Sequence, residues 1–228
     1  MPRLALMIDL ERCTGCKSCE AACKSEHALG PTERHNRVVW LGSKLEENSD
    51  NNQALDFLAL ACQHCERPAC VRACPVSPKA ISKNKETGVV TVNEDACVGC
   101  GECVTACPYG AMGFDPDGRH AVKCDLCSDR RAEGAATTAC AAVCPTKAIT
   151  FGPRDELLKT TEANNREMIK NDPFLLGPAT IYLDRITNKQ EKFDAADRNS
   201  PKVIDSFTNI SIDDTVFPYG HSRKDREI

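Results

Sequence analysis

Aromatic residues are scarce in this chain. Seven Phe, three Tyr and one Trp among 228 residues leave few large rings to fill an interior. Long apolar runs are missing as well. The longest, such as Leu58 to Cys62 and Val38 to Leu41, fall far short of the roughly 18–20 residues a membrane-spanning helix needs. There is no basic excess: the net charge is −4, so a phosphate backbone finds no electrostatic footprint and nucleic acid is not an expected partner. Met1 to Leu10 carries one Arg, a short apolar stretch and then Asp9, without the apolar region or small-residue cleavage site of a secretory signal. On that reading the chain leaves the cytoplasm only if a partner carries it, and Asn209-Ile210-Ser211 is a chance glycosylation sequon. No Walker loop, dinucleotide fingerprint, nucleophile elbow or His-Glu-x-x-His is found.

What the chain has is cysteine. Sixteen lie between positions 13 and 144, in four groups of four. The first is Cys13, Cys16, Cys19 and Cys23, and the second is Cys62, Cys65, Cys70 and Cys74. The third is Cys97, Cys100, Cys103 and Cys107, and the fourth is Cys124, Cys127, Cys140 and Cys144. Groups one and three are spaced C-x2-C-x2-C-x3-C, group two C-x2-C-x4-C-x3-C and group four C-x2-C-x12-C-x3-C.

Three chemistries compete for them. A disulfide framework expects a secreted, usually smaller chain without this periodicity. Zinc expects two ligand pairs a dozen or so residues apart, which only group four offers. Iron–sulfur chemistry expects the run seen in groups one and three. There, three sulfurs wrap one cubane and the fourth reaches a second. Four [4Fe–4S] clusters account for all sixteen thiols, with zinc an alternative for group four alone.

The flanking residues agree. Pro75, Pro108 and Pro145 follow the last cysteine of their groups, turning the chain away. Group one departs, with Lys24 in that place. Gly15, Gly99 and Gly101 lie between ligands, where a Cβ would intrude on inorganic sulfide and the amide can donate to sulfur.

If the fourth cysteine serves a neighbouring cluster, the groups work in twos. From group two the chain runs through Ala80-Ile81, Thr87-Gly88 and Val89 to Val92 into group three. That order reads as cysteine loop, short helix, hairpin and second cysteine loop, a whole two-cluster ferredoxin module. Groups one and four are left for each other. The strand-like Leu4 to Asp9 and Ala148 to Phe151 are expected to pair antiparallel and close a second module around the first. The expected ligand sets are Cys13, Cys16, Cys19 and Cys144; Cys124, Cys127, Cys140 and Cys23; Cys62, Cys65, Cys70 and Cys107; and Cys97, Cys100, Cys103 and Cys74.

The fold class is therefore α+β: two pseudo-symmetric ferredoxin-like modules of two [4Fe–4S] clusters each, one inserted in the other, plus a C-terminal extension. Residues 1–54 and 115–152 form the split module, 55–114 the inserted one and 153–228 the extension. Within the linker 24–54, Val38 to Leu41 reads as a strand, and its Trp40 as a core residue or an interface anchor. Pro153 to Lys170 reads as a helix and Ala179 to Leu183 as a strand. Residues 184–228 hold too few apolar side chains for a core of their own, and their recurring Phe and Ile suggest they lie across a partner. His27, His35, His120 and His221 read as surface residues. His64 is a donor to a cluster sulfur or a loop filler. Lys123 reads as solvated, with tuning of a nearby cluster by its charge as the alternative.

With all thiols committed, no iron is left open and no substrate pocket is indicated. The chain is expected to move electrons without bond chemistry, as a non-catalytic subunit. The four groups, their order and the runs Cys-Gln-His-Cys-Glu-Arg-Pro-Ala-Cys, Cys-Val-Gly-Cys-Gly-Glu-Cys and Lys-Cys-Asp-Leu-Cys resemble the four-cluster iron–sulfur subunit of the molybdopterin oxidoreductases. That family includes the electron-transfer subunits of dimethyl sulfoxide, polysulfide, thiosulfate and tetrathionate reductases and of formate dehydrogenases. The resemblance covers about residues 4–152. It implies the one-with-four, two-with-three pairing and a large catalytic subunit holding molybdenum or tungsten on a pyranopterin. A quinone-linked membrane subunit is common in the family. The location, cytoplasmic or periplasmic, then follows the partner's export signal. Two further readings are a free polyferredoxin carrier and a subunit of a hydrogenase or tungsten aldehyde oxidoreductase.

Overall fold

The computed structural model describes residues 2–31, 33–40, 57–115 and 119–184. In chain order the elements are β1 (Leu4–Asp9), α1 (Ser18–Glu26), β2 (Asn36–Trp40), β3 (Phe57–Ala61), α2 (Ala69–Ala73), β4 (Ile81–Lys83), β5 (Val90–Val92), α3 (Glu102–Ala106), β6 (Gly113–Asp115), β7 (His120–Val122), α4 (Ser128–Ala132), α5 (Ala139–Val143), β8 (Ile149–Pro153), α6 (Arg154–Ala163) and β9 (Ile181–Leu183). Short helices and short strands alternate, an α+β arrangement.

The helix lengths follow from the prolines. The residue before a proline is pushed out of the helical region into extended backbone. Cys74, Cys107 and Cys144 all precede one, and each caps its helix with extended φ and ψ, ending α2, α3 and α5 after five residues. Group one has Lys24 instead, and α1, nine residues long, runs past Cys23 to Glu26.

Strand β1 is the centre of a three-stranded sheet. It pairs antiparallel with β8, in register from Leu4 opposite Pro153 to Ile8 opposite Ile149, and parallel with β9. The expected pairing of the chain's first strand with the one after group four is thus present. Its sequence, Leu-Ala-Leu-Met-Ile, does not alternate because both faces are covered. Leu6 and Ile8 enter a core with Leu58, Leu126, Ile149 and Tyr182, while Ala5 packs with Leu157, Ala179, Ile181 and Leu183. The extension from 153 therefore begins as part of this sheet. The remaining strands form two-stranded antiparallel ribbons, β2–β3, β4–β5 and β6–β7.

Helix α6 is shorter than the expected Pro153 to Lys170. Pro153 is its N-cap, and it stops at Ala163 because Asn164 and Asn165 follow. Asn165 takes the left-handed conformation at φ 51, which Asn tolerates and which ends a helix. Ribbon β6–β7 and strand β3 were not anticipated. The expectations for the Trp40 side chain, for 44–54, for His221 and for the tail beyond Asp184 fall outside what is described.

Candidate functional site

Eight of the cysteines line two cavities, four in each. One is bounded by Cys97, Cys100, Cys103 and Cys74, with Val76, Ile81 and Val92 among its walls. The other is bounded by Cys62, Cys65, Cys70 and Cys107, with Gln63, Val90, Tyr109 and Met112. Helix α2 packs on α3, and each cavity takes three cysteines of one group and the last cysteine of the other.

Helices α1 and α5 pack together in the same way and bring groups one and four into one region. Burial, then the nearby charge of Cys140, pushes the Cys19 thiol up to about 12. Burial also raises Cys13, the Gly15 amide opposes it, and the charges of Cys144 and Cys16 add to the rise. Cys23 is raised by burial and then by Cys140 and Cys127. Cys124 is driven up by burial and then by Cys23, Cys62 and Cys140. By these influences Cys13 lies near Cys144, Cys19 near Cys140, and Cys23 near Cys140 and Cys127. Cys124 also feels Cys62, which belongs to the other pair of groups. An isolated zinc site in group four would have no need of Cys23.

The donor set suits iron–sulfur cubanes. All sixteen thiols are free of disulfides, and fourteen are buried or half-buried; only Cys16 and Cys100 are exposed. Peptide N–H groups reach the sulfurs. Ala148 donates to Cys144 at 3.2 Å, and His64, Ala121 and Ala139 donate to Cys62, Cys97 and Cys127 at 3.5 Å. Such bonds stabilise thiolate charge and are a lever on cluster potential. Burial raises Cys65 and Cys70 to about 12, so cluster assembly must displace protons from these thiols.

The surrounding protein gives a reason of its own for two of the glycines. Gly15 and Gly99 sit at φ +68 and +67, and a Cβ would meet the Phe57 ring at 2.4 Å and the Arg119 carbonyl at 2.4 Å. Of the amides anticipated as donors to sulfur, that of Gly15 reaches Cys13.

His64 fills the group-two loop, one of its two expected roles, whereas the other described histidines and Lys123 differ from expectation. His64 is 1% exposed and its Nδ1 accepts the Val90 N–H at 3.0 Å, tying the group-two loop to β5. His27, His35 and His120 are half-buried rather than on the surface. His27 Nε2 lies 3.8 Å from Cys127 Sγ and 3.6 Å from Asp125 Oδ1, with the His35 ring 4.9 Å away. His120 Nε2 lies between Glu94 and Asp115, at 3.5 and 3.7 Å. Lys123 is 5% exposed, so the expectation of a solvated lysine fails. No sequence signal separates these residues from surface ones, because the neighbours that cover them come from distant elements.

Residues 53–154 match the family described as a 4Fe-4S dicluster domain, and residues 4–25 a 4Fe-4S binding domain. The protein is similar to the B subunit of anaerobic dimethyl sulfoxide reductase from Escherichia coli (strain K12), 42% identical over 156 residues, 67% of this protein and 74% of that one. It is also similar to the thiosulfate reductase electron transfer subunit PhsB of Salmonella typhi, 32% identical over 187 residues, 82% of this protein and 95% of that one. The B subunit of polysulfide reductase from Wolinella succinogenes is 35% identical over 150 residues, 66% of this protein and 76% of that one.

Proposed function

This chain belongs to the family of iron–sulfur electron-transfer subunits of molybdopterin oxidoreductases, and from that premise we propose how it works. It is a non-catalytic subunit that relays single electrons through four [4Fe–4S] clusters. The electrons pass between a large molybdenum- or tungsten-pterin catalytic subunit and a quinone-linked membrane subunit or soluble carrier. When bound, each cluster supplies a one-electron couple. The protein's part is to hold the clusters in line, keep water from most of their ligands and set their potentials.

The observation that carries the ligand assignment is the crossed lining of the two cavities. Each holds three cysteines of one group and the terminal cysteine of the other. Cys62, Cys65, Cys70 and Cys107 hold one cluster, and Cys97, Cys100, Cys103 and Cys74 its neighbour. Cys13, Cys16, Cys19 and Cys144 hold a third, and Cys124, Cys127, Cys140 and Cys23 the fourth. The nearness of Cys13 to Cys144 and of Cys23 to Cys127 and Cys140 supports the second pair. The influence of Cys62 on Cys124 supports a junction between the pairs at these two residues. The exposed Cys16 and Cys100 then belong to the two end clusters, where electrons arrive and depart.

On this reading residues 55–114 are a ferredoxin-like module inserted in a second one made of 1–54 and 115–152, pseudo-symmetric in their helix pairs α2–α3 and α1–α5. Ribbons β2–β3 and β6–β7 straddle the two boundaries, so the modules are joined by hydrogen-bonded strands. Residues 153–228 are the segment we assign to partner binding, and their described part begins in the shared sheet. No helix among the described residues is long and apolar enough to cross a membrane. Membrane association is through the partner, and its export signal decides the compartment.

Metal content of the complex, purified natively without oxygen, tests the function. Molybdenum or tungsten near one per chain, with iron at or above roughly 16, is expected. Iron near 16 with neither heavy metal overturns it in favour of a free carrier or hydrogenase subunit.

A further inference from the structure

Lys123 is a buried cation without a protein anion. Its Nζ donates to the carbonyl oxygens of Val90 and, at 2.5 Å, Cys124, and among the described residues no ion pair includes it. A charge taken out of water is costly unless an opposite charge compensates it, and two neutral carbonyls do not. Its position says where that charge is. Val90 is part of the wall of the cavity lined by Cys62, Cys65, Cys70 and Cys107. Cys124, its other acceptor, belongs to the proposed neighbouring cluster in the other module. Cubanes with four thiolate ligands are anions, so the ammonium stands between two of them.

We propose that Lys123 is the counter-charge shared by the two middle clusters, and that it raises both their potentials where the electron crosses between modules. The inference rests on the ligand sets given above. Reduction adds a negative charge to a cluster, and a cation alongside favours the reduced form. Low polarity around the site strengthens the effect, since solvent does not screen it. The same charge is felt at the sulfurs: burial drives the Cys70 and Cys124 thiols up, and Lys123 pulls both the other way. His64, which faces Lys123 across Val90, accepts the Val90 N–H and supplies no negative charge. Lys123 thus acts as a positioning residue for the electron, through charge rather than ligation.

The test is a redox titration followed by electron paramagnetic resonance, on the anaerobically purified complex carrying Lys123→Met or Lys123→Arg. Cys107→Ser and Cys127→Ser identify the two middle signals independently of Lys123. If these variants perturb other signals, the ligand sets fail whatever Lys123 does. With Lys123→Met, the reduction equilibrium constants of both middle clusters fall about tenfold or more, which is about 59 mV per decade for a one-electron couple. The end clusters move much less, and Lys123→Arg keeps wild-type values. Unmoved middle signals, or all four moving together, overturn the proposal while leaving the ligand sets intact. Should Lys123→Met not load iron, Lys123→Arg decides. Full iron with wild-type potentials upholds the charge, and any other result assigns Lys123 to packing alone.

Discussion

Replacing Arg166 with Met should loosen the junction between the C-terminal segment and the first cluster loop. Arg166 grips Asp9 with two charge-assisted bonds, Nη1 to Oδ2 at 2.7 Å and Nη2 to Oδ1 at 2.8 Å, and also donates to the Asp184 carbonyl at 2.6 Å. The two side chains are 12% and 8% exposed, so solvent screens the pair little. The Asp9 carbonyl accepts the Cys13 N–H at 3.2 Å, so the clamp sits where β1 feeds the group-one loop. Breaking a buried pair costs roughly 3–5 kcal/mol because one charge is left behind. Asp9 keeps the Glu11 N–H at 3.0 Å and an exposed Arg12 at 3.5 Å, which places the loss at the low end, about 3 kcal/mol. For a chain of this size that is a drop of about 6–12 °C. The assay is bleaching of the cluster absorbance on heating without oxygen at a fixed rate. The double variant Asp9→Asn, Arg166→Met should recover at least half the loss, since the stranded charge is gone. A single-variant shift under about 2 °C, or a double variant worse than the single, would refute the argument.

Further outcomes follow from single residues. Gly99→Ala should lose the cluster held by Cys97, because its Cβ would lie 2.4 Å from the Arg119 carbonyl and a left-handed backbone adds about 1–2 kcal/mol. Iron content per chain measures it, and a variant that keeps all its iron would refute the prediction. His64→Leu orphans the buried Val90 N–H, a loss of about 1–3 kcal/mol. It should lower the bleaching temperature with all iron retained, and loss of iron from the purified variant would count against a purely structural role. Cys144→Ser should disturb the group-one cluster, and an effect confined to the clusters of groups two and three would break the pairing.

How much was legible depended on whether the cause was local. The cysteine spacings are local, and so is the proline rule that ends α2, α3 and α5; Lys24 in place of a proline is visible in the sequence, and so is its consequence, the longer α1. The β1–β8 pairing was readable because two strand-like apolar runs flank the outer groups. Ribbon β6–β7 has a signal of its own. Asp115-Pro116-Asp117-Gly118 is turn chemistry, and only short runs on either side hid the strands. Strand β3 is a five-residue apolar run, which periodicity alone does not separate from a buried helix segment.

Lys123 marks where sequence reasoning ends. A lysine beside a cysteine motif is solvated when its neighbours leave room for water, and here β5, from the other pair of groups, does not. Its Nζ ends between the Val90 and Cys124 carbonyls because β5 lies against the residues that begin group four. The residue type, its spacing and its neighbours in sequence are the same in either case. What changes is which element covers it, and here that is β5, more than thirty residues earlier in the chain. The group proposed to set the potential at the junction is therefore the one least visible along the chain. A cysteine motif names its ligands by spacing, whereas the charge that tunes two clusters at once has to come from where both are close.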